Sequence, residues 1–439
     1  MLERLSDPDL YAAAAERVRS RQLRAADTRP LCPGGPRLSG MAGSIDSLAQ
    51  KLARDVSRGD YRFGPVIRRR ARIEGKERAL YVATPLDDIV LGALAQVLGE
   101  LVQGALSAHV YSYRRGRSPR CAIDALRAYV RRHCHGRPDP RTRGLYVVRR
   151  DIRGYGDAIP SGAGSALWSM LAEALEAAQV VPSERLMHWL GSAFRPELQE
   201  AERLERPERG VPTGSPLQPV ACNLYLGPVD RICESVPDAF YARYGDDMLF
   251  VHADPQVARD TMHAMDARIT ELGLELSIDK SAAYYFTGAG RPSQQLPFRG
   301  VHAFDYLGVR LEFRGTVGLK RDKLRALLGD VRARLAASIS LLDRGDDDQR
   351  ARTLCAVVNS ALDPTQPLAH AAAQVLRHLV DDRGQLRDID YKLTRMVAQT
   401  LSGRHSVRAL RAYPPRRLRE QAGLSSLVHA RDRASRQRA

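Results

Sequence analysis

The stretch YARYGDDMLFVH, residues 241–252, sets two adjacent carboxylates between apolar and aromatic runs. Apolar and aromatic runs on both sides of Gly245-Asp246 suit two strands, and glycine tolerates the positive φ that a tight turn needs, so the stretch reads as a hairpin with its aspartates at the tip. Two ionised carboxylates side by side repel each other unless a cation sits between them and their partners. A lone GDD tripeptide is still only a solvated turn. The weight comes from Asp151, a third acid at the end of the apolar strand in LYVVRRDIRGYGDAI, residues 145–159. If the two strands lie side by side in one sheet, Asp151 and Asp246 meet at a point where they could hold two Mg²⁺ ions about 4 Å apart. Such a pair clamps a triphosphate and activates a 3′-hydroxyl for in-line attack, which is the chemistry of nucleotidyl transfer.

The rest of the chain is compatible with a large soluble enzyme acting on a polyanion. At 439 residues it has room for two or three domains with their own cores, and its 44% hydrophobic content is ordinary. Six scattered cysteines contain no C-x-x-C pair, which excludes a zinc module or a disulfide framework; His133-Cys134-His135 reads as incidental loop residues. No signal-peptide core and no apolar run of spanning length is present, so a cytoplasmic protein without membrane contact is expected. Lysine and arginine total 68 against 51 aspartate and glutamate, a net +17 carried mostly by arginine. Arginine forks pair with phosphates, so nucleic acid becomes the leading partner, although a GC-rich genome imposes the same composition.

Helical patterns at 9–26 and 44–58 flank the breaker-rich RPLCPGGPRLSG, 29–40. The basic segment 68–85 alternates like a hairpin strand, and an apolar helix around 87–106 separates it from a second basic segment, 109–130. Helices are expected over 163–180 and 183–205, then a Gly/Pro loop leading into a helix, then the GDD hairpin, then an amphipathic helix over 254–273. Beyond residue 320 the pattern is almost wholly helical, and no internal repeat is visible.

Taken in order, these segments resemble a reverse transcriptase. RRDIRGYGDAI (149–159) is similar to the first palm motif and GVPTGSPLQPVACNLYL (210–226) to the second; RYGDDMLF (243–250) is similar to the Y-x-D-D box. LGLELSIDKSAAYYF (272–286) resembles the lysine-bearing motif and FDYLGVRL (304–311) the primer-grip strand. RFGPVIRRRARIEGKERALYVATP (62–85) and YSYRRGRSPRCAIDAL (111–126) resemble the fingers of bacterial enzymes akin to group II intron and retron reverse transcriptases. The resemblance covers roughly residues 60–345. It implies an α+β right-hand polymerase fold: an N-terminal helical extension (1–59), fingers (60–144), a palm of antiparallel sheet and helices (145–314, with part of the fingers in 160–210), a helical thumb (315–345) and a helical basic C-terminal extension (346–439).

The resemblance also implies roles. Asp151 and Asp246 become the principal ligands of two Mg²⁺ ions, with Mn²⁺ as a substitute, and Asp247 the supporting carboxylate. Arg72 and Arg78 fall where fingers cations meet the incoming triphosphate, and Lys280 where a lysine serves the pyrophosphate leaving group. Gly214 and Ser215 belong to the loop beneath the nascent base pair, and Leu307 and Gly308 to the primer grip. The implied partners are an RNA template or noncoding RNA, dNTPs and a DNA product, with a partner protein or a second copy also open.

Two positions depart from the pattern. Relatives carry Phe or Tyr five residues after the first aspartate to exclude a ribose 2′-hydroxyl; here that place is Gly156, preceded by Tyr155. Thr213 stands where the family has a glutamine near the template. Both imply relaxed sugar choice or unusual templating. No endonuclease or RNase H pattern follows the thumb, and the basic tail resembles the extension of free-standing bacterial enzymes, some of which act in antiphage defence with a noncoding RNA. Two alternatives stay open: a catalytically dormant RNA-binding or scaffold subunit, and a ribonucleotide or terminal nucleotidyltransferase.

Overall fold

In a computed structural model, which describes residues 1, 3–24, 45–73, 76–135, 144–200, 203–290, 297–339, 346–366 and 369–436, the chain forms two compact units. The first comprises residues 1–118 and 146–283, the second 119–145 and 284–439. The fold is α+β, with helices packed on small, mainly antiparallel sheets.

The strands of the first unit are β1 (Val66–Ile73), β2 (Lys76–Val82), β3 (Leu145–Arg150), β4 (Leu198–Glu200), β5 (Arg203–Glu205), β6 (Phe240–Tyr244) and β7 (Asp247–His252). The expected GDD hairpin is β6–β7, with Tyr244 opposite Asp247 and Gly245-Asp246 as a two-residue loop. Gly245 has φ +67°, a left-handed conformation that an L side chain would resist. β3 pairs antiparallel with β7, Arg150 facing Met248, so Asp151 follows its strand directly beside the aspartate turn. Val147, Val148, Leu249, Phe250 and Val251 are all buried, the reason β3 and β7 read as continuous apolar runs. The basic segment forms the hairpin β1–β2, and a second small sheet runs β2-β1-β4-β5.

The helices begin where capping chemistry dictates. Pro85–Leu101 has Thr84 accepting from the Asp87 N–H, Pro85 in its first turn, and a nearly all-apolar body that is largely buried. Pro255–Glu271 is capped likewise by Asp254. The helix expected over 183–205 is shorter: it ends at Phe194, and β4 and β5 follow. Pro196 explains the break, since it biases Arg195 away from the helical region, and β4 then gains a parallel partner in β1 through Val66 opposite Leu198. The single helix after the Gly/Pro loop is two, Gln218–Tyr225 and Gly227–Glu234. Of the N-terminal extension, the helices Pro8–Arg24 and Ile45–Arg58 are present, and the breaker-rich 29–40 lies outside the described residues.

The second unit contains most of β8 (Ala282–Phe286), from Tyr284 onward, and β9 (Arg299–Val301), β10 (Ala303–Tyr306), β11 (Val309–Glu312) and β12 (Val317–Leu319). The primer-grip stretch is a hairpin rather than one strand: β10 and β11 are joined by Leu307 (φ +45°) and Gly308 (φ +84°). Helices Arg321–Ala337, Asp347–Leu362 and Arg383–Ser402 share one core, from Leu319 and Leu327 through Leu354 and Ile389 to Leu424. That core spans both sides of residue 345, so the expected thumb and C-terminal extension pack as one body. Helix Pro119–His135 belongs to this unit, because Arg127 reaches the Gly315 carbonyl and Asp381, and Cys134 donates to the Phe313 carbonyl. These contacts also give His133-Cys134-His135 a packing role. No disulfide joins the described cysteines, and among the described residues no helix is long and apolar enough to cross a membrane.

Candidate active site

Asp151 leaves β3 with only 5% of its surface exposed. Its backbone is clamped on both sides: its N–H donates to the Ser281 hydroxyl (3.3 Å) and its carbonyl accepts from the Ser277 N–H (2.8 Å). The turn 277–281 that supplies these bonds also carries Lys280, whose Nζ lies 2.9 and 3.2 Å from the two Asp151 carboxylate oxygens. Asp246, at the hairpin tip, has its pKa pushed up to about 6, first by burial and then by the charge of Asp151, with Asp247 adding to it. Crowded, partly desolvated carboxylates of this kind lack positive charge.

Asp247 has a different environment. Arg149, two residues before Asp151 and so on the same face of β3, grips it with both arms, Nε to Oδ1 at 2.8 Å and Nη2 to Oδ2 at 2.7 Å. Burial raises the Asp247 carboxyl, and Arg149 works against that rise. The bond to Asp151, ahead of the cost of burial, raises Lys280, which therefore stays an ammonium. In this arrangement no group of three His, Cys, Asp or Glu side chains among the described residues converges so as to hold a metal ion. The expected trio is not assembled as one cluster, because Lys280 covers Asp151 and Arg149 occupies Asp247. The donor set still suits a hard cation: carboxylate oxygens on two adjoining elements, with Asp246 short of compensation. Asp151 and Asp246 are the residues whose oxygens could hold a divalent cation.

A buried ionic platform supports the turn from below. Arg243 is fully buried, pairing with Asp230 through Nε–Oδ1 (2.7 Å) and Nη2–Oδ2 (2.6 Å). Its remaining N–H groups donate to the carbonyls of Gly245, Cys222 and Asn223. The Tyr241 hydroxyl completes the set on Asp230 (2.7 Å), and Ser112 accepts the Gly245 N–H (2.9 Å). Every member is satisfied, so the backbone of the aspartate turn has little freedom.

Tyr155 and Gly156 are placed differently from each other. Tyr155 is buried and donates to the Cys222 carbonyl at 2.7 Å, so its ring packs in the core. Gly156 faces Gln218, into whose amide a Cβ at 156 would collide. Gln218 in turn donates to the Val211 carbonyl (3.1 Å) and the Thr213 hydroxyl (3.3 Å), and Thr213 donates to Asp157 (3.1 Å). The space an aromatic would fill is occupied by a polar chain. Gly214 (φ +103°) and Ser215 turn the adjoining loop, which is tied to β2 by the Tyr81 N–H bonding the Thr213 carbonyl. Arg72 and Arg78 lie on β1 and β2, one step apart in register; their side chains lie outside the described residues. Leu307 and Gly308 belong to the second unit.

Arg149, Ser281, Gln218, Asp157 and the Arg243–Asp230 pair escaped the sequence reading. Only Arg149 left a usable signal, since residues i and i+2 of a strand share a face.

Residues 167–311 match the family described as reverse transcriptase (RNA-dependent DNA polymerase). The match includes Asp246, Asp247 and Lys280 and begins after Asp151. No curated protein matches the chain. Solved structures similar to it include the apo telomerase of Candida tropicalis truncated from its C-terminal domain, at 10% identity and TM-score 0.45 over 59% of this chain and 55% of that one. Another is Candida albicans telomerase with a TWJ fragment of telomeric RNA, at 13% identity and TM-score 0.46 over 85% of this chain and 65% of that one. The chain thus spans between about half and two thirds of these telomerase chains. Reverse transcriptase domains use divalent metal ions, in keeping with the acidic pair. Residues 167–311 are accordingly a reverse transcriptase domain, of the RNA-dependent DNA polymerase kind.

Proposed function

We propose that the whole chain is an RNA-directed DNA polymerase that adds dNTPs to a 3′-hydroxyl, using Mg²⁺ held by Asp151 and Asp246. The observation that carries this reading is the juxtaposition of those two acids at the ends of β3 and the β6–β7 turn, with Asp246 held up to about 6. The metal, when bound, supplies positive charge to the phosphates and activates the attacking hydroxyl. The chain itself contributes three things. Arg243 and Ser112 fix the turn, Arg149 holds Asp247 at the strand start, and Lys280 keeps a protonated amine beside the Asp151 carboxylate. Under this reading Lys280 leaves Asp151 for the leaving pyrophosphate. Arg72 and Arg78 meet the triphosphate, Gly214 and Ser215 lie under the new base pair, and Leu307 and Gly308 hold the primer. We propose a noncoding RNA in cytoplasmic antiphage defence as the chain's setting, on the resemblance of the basic tail to that of free-standing bacterial enzymes.

The test supplies purified protein and its copurified RNA with dNTPs or rNTPs and Mg²⁺ or Mn²⁺, then sequences the products. Metal-dependent, template-matched DNA is the expected result. RNA binding without any incorporation would favour the dormant subunit. In the same assay, Lys280→Ala is expected to lower the maximal rate by about 10²-fold while reducing the Mg²⁺ concentration needed for half-maximal rate, because Asp151 loses a competing cation. An unchanged rate would remove Lys280 from the chemistry.

A second reading, ribonucleotide or terminal transfer, is favoured by the missing side chain at Gly156. Gly156→Phe alone is expected to lower stability by about 1–3 kcal/mol through overpacking against Gln218. Gly156→Phe with Gln218→Ala gives the ring its space and should shift incorporation toward dNTPs by about tenfold or more. An unchanged rNTP to dNTP ratio in the double variant counts against relaxed sugar choice.

A further inference from the structure

Apart from the carboxylates, the first unit contains a cavity of about 700 Å³ bounded by the end of helix Ile45–Arg58, the segment after it, and helix Glu184–Phe194. We propose that it binds an unpaired nucleoside phosphate, stacking the base on Trp168 and Trp189 and holding the phosphate among arginines. A volume of this size falls within the usual range of small-molecule sites.

Both tryptophans of the 439-residue chain line this one cavity. Their polar tips are already committed: Trp168 Nε1 donates to the Gly162 carbonyl (2.8 Å) and Trp189 Nε1 to the Tyr61 carbonyl (3.3 Å). Each ring also rests on a neighbour, Trp168 edge-on to Phe194 (6.1 Å between centroids) and Trp189 tilted on Phe63 (5.5 Å). The indoles are therefore fixed, and what they can offer a ligand is π-surface. Stacking of a base on such a surface is worth about 1–3 kcal/mol and requires no base-specific hydrogen bond.

Among the described residues the charge lining the cavity has one sign: five arginines and no carboxylate. Arg62 donates to the Gly59 carbonyl and Arg185 to the Arg58 carbonyl, bonds that orient a guanidinium without neutralising it. Arg195 and Arg206 have outer partners in Glu208 and Glu197. Among the described residues Arg58 has no side-chain hydrogen bond or ion pair, and it is exposed at the cavity wall. Gly59, at φ +74°, lets the Arg185 guanidinium lie against the backbone, where any Cβ would strike it. Fixed aromatic surface combined with oriented, unneutralised guanidinium is the chemistry that recognises a nucleotide. An acidic peptide would use the arginines and leave the indoles idle.

Because no tryptophan lies elsewhere, the emission of the full-length chain reports this cavity directly. Adenosine 5′-monophosphate and a six-nucleotide single-stranded oligo(A) RNA are titrated separately; the arm that saturates at lower concentration identifies a free nucleotide or an RNA strand as the source. Saturable quenching is expected in at least one arm, and the double variant Arg58→Ala, Arg62→Ala should weaken it by about tenfold or more. Both arginines are exposed, so far-UV circular dichroism should match wild type. Quenching should persist in Asp246→Asn, which keeps failure of this site distinguishable from failure of the polymerase reading. No saturable quenching in either arm would overturn the proposal. So would an equal response to inorganic phosphate, a stronger response to hexaglutamate than to RNA, or loss of the response in Asp246→Asn.

Discussion

Asp246→Asn is expected to make the metal-free protein more stable at pH 7.5 while eliminating nucleotide incorporation. Burial, and then repulsion by Asp151, push the Asp246 carboxyl in the folded chain from the ordinary aspartate range up to about 6. A folded-state value above the unfolded one means that the group's favourable contribution is complete below about 4 and lost as pH rises through about 6. At neutral pH the wild-type fold therefore carries the full penalty of an under-compensated charge. The shift corresponds to at most about 3 kcal/mol, and residual solvent access reduces that to roughly 1–2 kcal/mol. Asparagine keeps the shape and removes the charge, so the variant should melt a few degrees higher at pH 7.5 and show no gain at pH 4. Incorporation should fall by about 10³-fold or more, since the metal loses a ligand. Thermal melts at the two pH values and a primer-extension assay check both halves. An unaltered melting temperature at pH 7.5 would mean that the charge is already compensated, and retained extension would mean that Asp246 holds no essential ion.

Arg243→Met is expected to have the largest effect on stability of any single change near the site. It leaves Asp230, 1% exposed, without its cation, and strips hydrogen bonds from the carbonyls of Cys222, Asn223 and Gly245. Removing one partner of a buried pair costs about 3–5 kcal/mol, because the survivor stays charged in a dry place. Adding Asp230→Leu removes that survivor and should recover much of the loss. Activity should not recover with it. The Gly245 carbonyl still lacks its tether, the aspartate turn moves more freely, and a misplaced ligand is expected to cost about 10²-fold in rate. Chemical denaturation alongside primer extension separates the two effects. Equal recovery of stability and rate in the double variant would reduce Arg243 to a packing residue.

The hairpin at 240–252 was legible because three local signals agree there: apolar runs on both sides, a glycine at the turn, and two adjacent acids at its tip. The helix over 183–205 was overextended because its apolar period continues past Pro196, and sequence pattern cannot see that β1 offers a partner edge to residue 198. Arg243 escaped notice for a related reason. Arginine in a strand is ordinarily read as solvent-facing, and only Asp230, on a helix 13 residues earlier, makes its burial tolerable.

Spacing and residue type alone were enough for most of the helices and for the GDD hairpin, whereas the pairing of the Asp151 strand with that hairpin was decided by the tertiary structure. The helices and the hairpin depend on local conformational preference and on the period of apolar residues, which are properties of neighbours along the chain. Which cation each acid meets was decided by packing: Lys280 on Asp151 and Arg149 on Asp247, while among the described residues no cation forms an ion pair with Asp246. The blocked space at Gly156 and the gathering of both tryptophans with five arginines were decided the same way. Electrostatic and steric contacts act over a few ångströms in space, and residues that are 98 or 129 positions apart become neighbours only when the chain is folded.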